Sequence, residues 1–324
     1  MGEISSAEDF VRRKYITLLS TYTKRNVIVY YSGWLQKQPA NQVEAYDLMV
    51  NDNDINGFMT TVNKLDRTKG LDLILHTPGG EMAATQTIVE YLNQMFGNDI
   101  RAIIPQLAMS AGTVIACGCK KIMMGKQSSL GPMDPQYRGN PAHAVVEEFE
   151  TAIAECKADP GKIPLWQPII AKYNPTMIGE CKKVIALTTE LVTEWLKRNM
   201  FCDDPKKEEK IKSVIKGMVD HEISKIHDRH FNIKNCEDMG LVIEKMEDDQ
   251  PLQDLILSVH HSCVLTLSRT SACKIFENQM MSSYILKREH KDPKPFIIPL
   301  QGGMNIEPQR VVHVPKPSKP QAKP

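Results

Sequence analysis

The alternation of apolar and polar positions is most regular between residues 71 and 136. A short apolar run stops at the polar turn 76–80, after which apolar residues recur at helical spacing. A second apolar run, 100–108, contains β-branched residues and stops at a further turn, 109–113, before another apolar helix. The stretch therefore predicts two consecutive strand–turn–helix units followed by a third strand.

The residues before this stretch predict further elements of the same kind. Residues 6–24 predict a helix, and residues 27–34 predict a strand rich in strong β formers. Apolar residues at helical intervals predict one helix across 41–69, and Gly70 turns the chain into the next strand. Strand–helix–strand alternation predicts parallel pairing with right-handed crossovers, and hence an α/β core.

The second half of the chain has a mostly helical pattern and ends in a polar tail. Helices are predicted over 142–157 and 179–200, and a long helix is predicted from residue 249. The last residues are rich in Lys, Gly and Pro and cannot bury enough apolar surface to fold. We predict an N-terminal helix, an α/β core, a C-terminal helix and a Pro/Lys-rich disordered tail, at 1–25, 26–250, 251–286 and 287–324.

Composition indicates a folded cytoplasmic protein and argues against nucleic acid as a partner. Apolar residues make up 42% of the 324 residues, and the formal net charge is +1, so no concentrated basic face for phosphate is expected. The eight cysteines lack paired CxxC spacing, which favours reduced packing residues over a disulfide framework or a zinc site. We expect no secretory signal and no integral membrane segment, because no apolar run approaches about 18 residues.

Ser110 is the strongest candidate for chemistry, because it lies where a buried strand gives way to a helix. At such a turn a side chain faces the positive end of the helix dipole and unpaired N–H groups, which can hold a developing oxyanion. We therefore predict Ser110 as a nucleophile. The N–H groups of Gly79, Gly80 and Ala111 would form the oxyanion hole, since glycines allow close approach. A helix N-cap and a simple turn are the structural alternatives.

The motifs TPGG, AMSAGT and SSLGPMDPQ, in this order along predicted strands, resemble the Clp-protease/crotonase superfamily. Within it the chain resembles the serine dehydrogenase proteinase family of the signal-peptide-peptidase-A-like branch, from residue 27 to residue 278. The resemblance implies a Clp protease/crotonase-like α/β fold of stacked β-β-α units with additional helices. It also implies a serine-type endopeptidase for peptides or unfolded proteins that forms a homo-oligomer. No cofactor is expected.

A general base for the serine is not evident from the motifs. Clp-type enzymes place a histidine in the strand that here reads LGPMDP, at 130–135, and this segment has none. Signal-peptide-peptidase-A-like relatives use a later lysine instead. The candidates are His143, preferred because it needs the smaller change in pKa, and Lys162. By resemblance Asp228 falls on the triad aspartate of Clp-type proteases, whereas Asp134 is interpreted as a structural turn residue.

Three other interpretations stay open. The unassigned base is compatible with an inactive Clp-fold scaffold that binds peptides. Paired N–H groups also suit crotonase-like acyl-CoA chemistry, although a serine at the oxyanion turn argues against it. His227 and His230 have the spacing of metal ligands, which leaves a hydrolase with a metal site as a runner-up. No carboxylate or cysteine completes a recognised set, so the preferred prediction has no metal.

Overall fold

A seven-stranded sheet forms the centre of the computed structural model, which describes residues 6–37, 43–219 and 229–288. Its strands, with four short ones outside the sheet, are β1 Asn26–Ser32, β2 Leu71–His76, β3 Ile100–Ile104, β4 Leu107–Ala108, β5 Lys121–Met124, β6 Ser129–Leu130, β7 Gln136–Tyr137, β8 Asn140–Pro141, β9 Ile243–Lys245, β10 Ala272–Asn278 and β11 Ser283–Lys287. The helices are α1 Ala7–Thr23, α2 Ala45–Leu48, α3 Asp54–Val62, α4 Met82–Phe96, α5 Ala111–Cys117, α6 Ala142–Ala158, α7 Ile163–Ile170, α8 Met177–Arg198, α9 Lys207–Met218, α10 Ile233–Asp238 and α11 Gln250–Arg269. Not one of these described helices combines the length and the apolar character needed to cross a bilayer.

The sheet is mostly parallel, as the alternating pattern predicts. Its strand order is β11-β10-β1-β2-β3-β5-β9, and the strands from β1 to β9 pair in parallel. The two C-terminal strands β10 and β11 are antiparallel and extend the sheet beside β1. Parallel neighbours need crossover connections, which here include helices packed on the sheet. The predicted α/β fold class is confirmed.

Apolar side chains cover both faces of the sheet. In β1, Val27, Val29 and Tyr31 belong to one buried cluster, while Ile28 and Tyr30 belong to the other. Helices α1 and α11 contribute to the first cluster, and α3, α4, α5 and α8 to the second. Because both faces are covered, β1 and β2 are buried along their whole length, which explains their nearly continuous apolar sequence.

The single helix predicted over 41–69 is wrong, because the structure has two short helices there, α2 and α3. Between them Val50 pairs with Gly80 in an isolated parallel bridge. The side-chain oxygen of Asn51 accepts a hydrogen bond from Asn53 N–H at 3.1 Å. Short polar side chains that bind the nearby backbone in this way favour turns over a continuous helix.

The strand predicted over 100–108 is interrupted, since β3 ends at Ile104 and β4 begins at Leu107. Pro105 lies between them and has no N–H to donate to a neighbouring strand. As a result β4 leaves the main sheet and pairs with β6 in a small sheet of two strands. The residues that follow β4 form the candidate site.

The C-terminal helix predicted over 251–286 ends earlier than expected. Helix α11 stops at Arg269, and the next residues form β10 and β11. Strand β10 is buried along its whole length between β1 and β11, so Ile275 and Phe276 gain strand partners that helical spacing does not reveal. Of the predicted tail, residues 289–324 lie outside the described part of the chain.

Candidate active site

Ser110 forms a sharp turn between β4 and α5. Its φ of 49° and ψ of −113° are a combination that residues with a side chain rarely adopt. The neighbouring strand holds the turn, because Met109 N–H donates to Thr77 O at 3.0 Å and Thr77 N–H donates to Leu107 O at 3.3 Å. The Ser110 side chain makes no capping bond to α5. A strained serine without a capping role is typical of a nucleophile turn.

Two glycines bring a second backbone segment against this turn. Gly79 has φ 98°, and a Cβ built on it would lie 2.7 Å from the Cβ of Ser110. A Cβ on Gly80 would lie 2.2 Å from the carbonyl oxygen of Val50. Both positions therefore need a residue without a side chain. These two residues, called here the glycine loop, pack directly between Val50 and the Ser110 turn.

Two backbone N–H groups are available beside Ser110. Among the residues that the structure describes, the N–H groups of Gly80 and Ala111 donate to no other protein group. Gly79 N–H, by contrast, donates to the hydroxyl of Thr77 at 3.2 Å. Gly80 and Ala111 are therefore better suited than Gly79 to stabilise an oxyanion.

A cavity of about 330 Å³ opens at Ser110, Gly80 and Ala111. Most of its other lining side chains are apolar, namely Met49, Pro78, Met82, Val114, Met133, Pro135 and Val184. Its polar side chains are Glu81, Asp134, Gln136 and Arg138. A mainly apolar cavity next to a hydroxyl and two N–H groups can bind an apolar side chain while a carbonyl group is presented to the serine.

Two predicted residues, His143 and Lys162, are not among the residues that line this cavity. His143 is the second residue of α6 and is partly buried. The N–H of Ala142, immediately before it, donates to Pro135 O at 2.8 Å, which ties the start of α6 to the cavity wall. Lys162 pairs with a carboxylate of α6 at 3.4 Å. Asp228 lies outside the described residues.

Asp134 and Arg138 line the cavity although the sequence did not assign them to a site. Asp134 is 1% exposed. Arg138, with φ 51°, and Gly139, with φ 78°, form the two-residue turn of the hairpin β7–β8, and two positive φ angles are typical of a type I′ turn. The sequence signal was the glycine within a polar segment, which marks a turn but not what the turn faces.

Two buried histidines, His76 and His260, lie close to each other, and His76 comes three residues before the glycine loop in the chain. His76 ends β2, and its ring centroid is 5.7 Å from that of His260 on α11. Burial lowers the pKa of His76 to about 3, and repulsion by His260 acts in the same direction. Burial likewise lowers the pKa of His260 to about 4, with a smaller contribution from His261. Both rings are therefore neutral in the folded protein near neutral pH.

We expect these two histidines to make the fold sensitive to acid. Their folded pKa values lie below the value of about 6.5 in an unfolded chain, so the unfolded chain binds protons first as the pH falls. The free energy of unfolding should therefore decrease as the pH falls below ~6.5, by about 4 kcal/mol in total between pH 7 and pH 5. Urea unfolding across this range measures the change.

The double variant His76→Phe/His260→Gln should lose most of this pH dependence, because neither replacement titrates. The variant His230→Gln is the matched control, since His230 is exposed. An unchanged pH dependence in the double variant would assign the effect to other groups.

A family model described as ClpP-like SDH-type serine proteinase matches residues 43–256. The Methanocaldococcus jannaschii protein MJ0137 is 30% identical, with 59% of this chain and 59% of the relative covered. MJ1495 from the same organism is 29% identical, with coverage of 53% and 51%. Both are described as uncharacterized, and this chain spans little more than half the length of each.

Among solved structures, a mutant of 1510-N, a membrane-bound stomatin-specific protease, is similar at 14% identity and a TM-score of 0.37. The similarity covers 64% of this chain and 79% of that one. The family match includes the glycine loop, the Ser110 turn and four of the seven strands of the main sheet. It extends over more than half of the 324 residues, and the chain therefore belongs to the ClpP-like SDH-type serine proteinase family.

Proposed function

We propose that the protein is a serine endopeptidase with Ser110 as its nucleophile. The observation that carries the proposal is the strained Ser110 turn, whose serine faces a cavity between the N–H groups of Gly80 and Ala111. Membership of a proteinase family supports hydrolysis of peptide bonds. A helix cap would need neither the positive φ nor the cavity.

In this mechanism the Ser110 hydroxyl oxygen attacks the peptide carbonyl carbon, and its proton passes to a general base. The carbonyl electron pair moves onto oxygen, where the N–H groups of Gly80 and Ala111 stabilise the negative charge. The carbon–nitrogen bond then breaks as the base returns the proton to the amine. Water attacks the resulting ester, which releases a carboxylic acid and regenerates the serine.

The preferred base is His143, with Asp228 as the group that orients it. Support comes from the backbone bond between Ala142 and Pro135, which ties the start of α6 to the cavity wall. Lys162 is already paired with Glu155 and would have to leave that carboxylate to act. The ordinary pKa of the histidine side chain is also closer to neutral pH than that of lysine, which suits a general base.

The apolar lining of the cavity indicates the substrate. The apolar side chains of Met82, Val114 and Val184 line the cavity and suit an apolar side chain of the substrate. We therefore propose cleavage beside apolar residues of peptides or unfolded proteins. A folded substrate would keep such residues buried. We also propose that the protein is a cytoplasmic homo-oligomer that needs no cofactor and does not act on nucleic acid.

Hydrolysis of casein, an unstructured protein, tests the function and the base together. The wild-type chain is expected to cleave it without an added cofactor, and His143→Gln should lower kcat/KM roughly 100-fold, as loss of a general base does. Lys162→Gln is the matched control and should stay close to wild type. Activity lost in Lys162→Gln and kept in His143→Gln would make Lys162 the base. If the wild-type chain does not cleave casein, the peptide-binding scaffold is favoured.

A further inference from the structure

A fully buried ion pair connects β10 with the start of α3. The side chains of Lys274 and Asp54 are 1% and 2% exposed, and the ammonium lies 2.7 and 2.9 Å from the two carboxylate oxygens. The same ammonium donates to the carbonyl oxygen of Met49 at 2.5 Å. The carboxylate also accepts from the Tyr30 hydroxyl at 2.7 Å and from Asn51 N–H at 3.3 Å. The pair thus holds the backbone at residues 49 and 51.

Val50 lies between these two residues and is hydrogen-bonded to the residues on either side of Gly80. Its N–H donates to Gly79 O at 2.8 Å, and its carbonyl oxygen accepts from Glu81 N–H at 2.9 Å. That oxygen is also so close to Gly80 that a Cβ there would lie 2.2 Å from it. A shift of Val50 must therefore move Gly80 relative to Ser110.

Stability alone is a weak explanation for this pair. Removing two charges from water offsets most of their attraction, so a buried ion pair often stabilises a fold no more than apolar side chains would. Burial lowers the pKa of Lys274 and raises that of Asp54, which reflects this desolvation. Charge-assisted hydrogen bonds do, however, fix the geometry of the groups that they join.

We propose that Lys274 and Asp54 are positioning residues of the peptidase site, which hold Val50 so that Gly80 N–H is directed at the oxyanion. The inference rests on the proposed function. A hydrogen bond to a developing charge weakens steeply when it is misaligned. Loss of the anchor should therefore lower the rate of turnover, while the apolar cavity continues to bind the peptide.

The single variant Lys274→Met removes the anchor on Met49 but also leaves the Asp54 charge buried without its partner, so it should unfold easily. The double variant Lys274→Met/Asp54→Asn removes both charges and keeps an acceptor oxygen for Tyr30 and Asn51. We expect the double variant to regain most of the lost thermal stability without regaining activity.

Two measurements separate positioning from a merely structural role. For the double variant, kcat on a short apolar peptide should fall about 30-fold with KM nearly unchanged, since one oxyanion donor is misdirected. The Kd of a peptide boronic acid, which forms a tetrahedral anionic adduct with a serine hydroxyl, should rise by about the same factor. Tyr30→Phe removes one bond to Asp54, together with the bond between the Tyr30 and Thr77 hydroxyls, and should show a smaller change of the same kind with the fold intact.

The matched control is Arg12→Met/Glu277→Gln. This pair is also fully buried, with nitrogen and oxygen 2.6 Å apart, and joins β10 to α1, but in the described chain it makes no bond to residues 49–51. Its kcat should match wild type. A wild-type kcat in the Lys274 double variant or in Tyr30→Phe would overturn the inference. An increase in KM without a decrease in kcat would overturn it as well. A wild-type chain that neither cleaves the peptide nor binds the boronic acid would refute the proposed function itself.

Discussion

Ser110→Ala is expected to lower kcat/KM for peptide hydrolysis by roughly 10⁴-fold or more, because no other group can form the acyl-enzyme. The residual rate should come from the oxyanion donors and substrate binding alone. The same substitution should abolish labelling by a fluorophosphonate probe, which reacts with activated serines. Kinetics on casein and mass spectrometry of the labelled chain measure the two effects.

The Ser110→Ala protein should remain folded, so that the loss can be assigned to chemistry. Ser110 makes no capping bond to α5, and alanine is subject to the same restriction at positive φ. Ser268→Ala is the matched control, since Ser268 is an exposed serine on α11. Activity retained in Ser110→Ala would disprove the proposed nucleophile, and labelling at another serine would identify its replacement.

Gly79→Ala should reduce kcat/KM by roughly 10³-fold, since it affects the nucleophile and the oxyanion donor together. A Cβ at residue 79 would lie 2.7 Å from the Cβ of Ser110 and 2.9 Å from the N of Ala111. The glycine loop and the serine turn must then separate, which displaces the groups that act on the carbonyl. The cost of alanine at positive φ should also destabilise the fold by about 1–2 kcal/mol.

Gly97→Ala provides a control that separates these two effects. Gly97 has φ 62°, and no atom lies within 4 Å of a Cβ built there. The free energy of unfolding of Gly97→Ala, measured by urea denaturation, should therefore decrease by about as much as that of Gly79→Ala. Its kcat/KM should stay at the wild-type value. Equal activity in Gly79→Ala and Gly97→Ala would show that the close contact with Ser110 is not needed for turnover.

The first prediction tests the serine hydroxyl, and the second tests the backbone conformation around it. The candidate site consists of a serine at a strained turn, a glycine loop packed against it and N–H groups from each segment. Such a site depends on how accurately the loop is held, and the ion pair of Lys274 and Asp54 is proposed to hold it. Substitutions remote from the cavity can then affect turnover strongly.

The strand–turn–helix units were predictable because each depends on residues close together in sequence. Alternating apolar runs and polar turns indicated β2, α4, β3 and α5, and with them the position of Ser110 at the end of a strand. The errors occurred where local pattern was misleading. Pro105 interrupts one predicted strand, and β10 becomes a strand only because β1 and β11 flank it.

The sequence by itself therefore determined the fold class and the serine and glycine motifs, since these depend on short-range spacing, and it indicated the family through the resemblance of those motifs. Only the tertiary structure decided the positive φ of Ser110, its contact with Gly79 and the apolar cavity beside them. It also joined Lys274 to Asp54, which are 220 residues apart in the chain. The physical reason is that these features depend on contacts between distant segments, which exist only after the sheet has assembled and about which local periodicity contains no information.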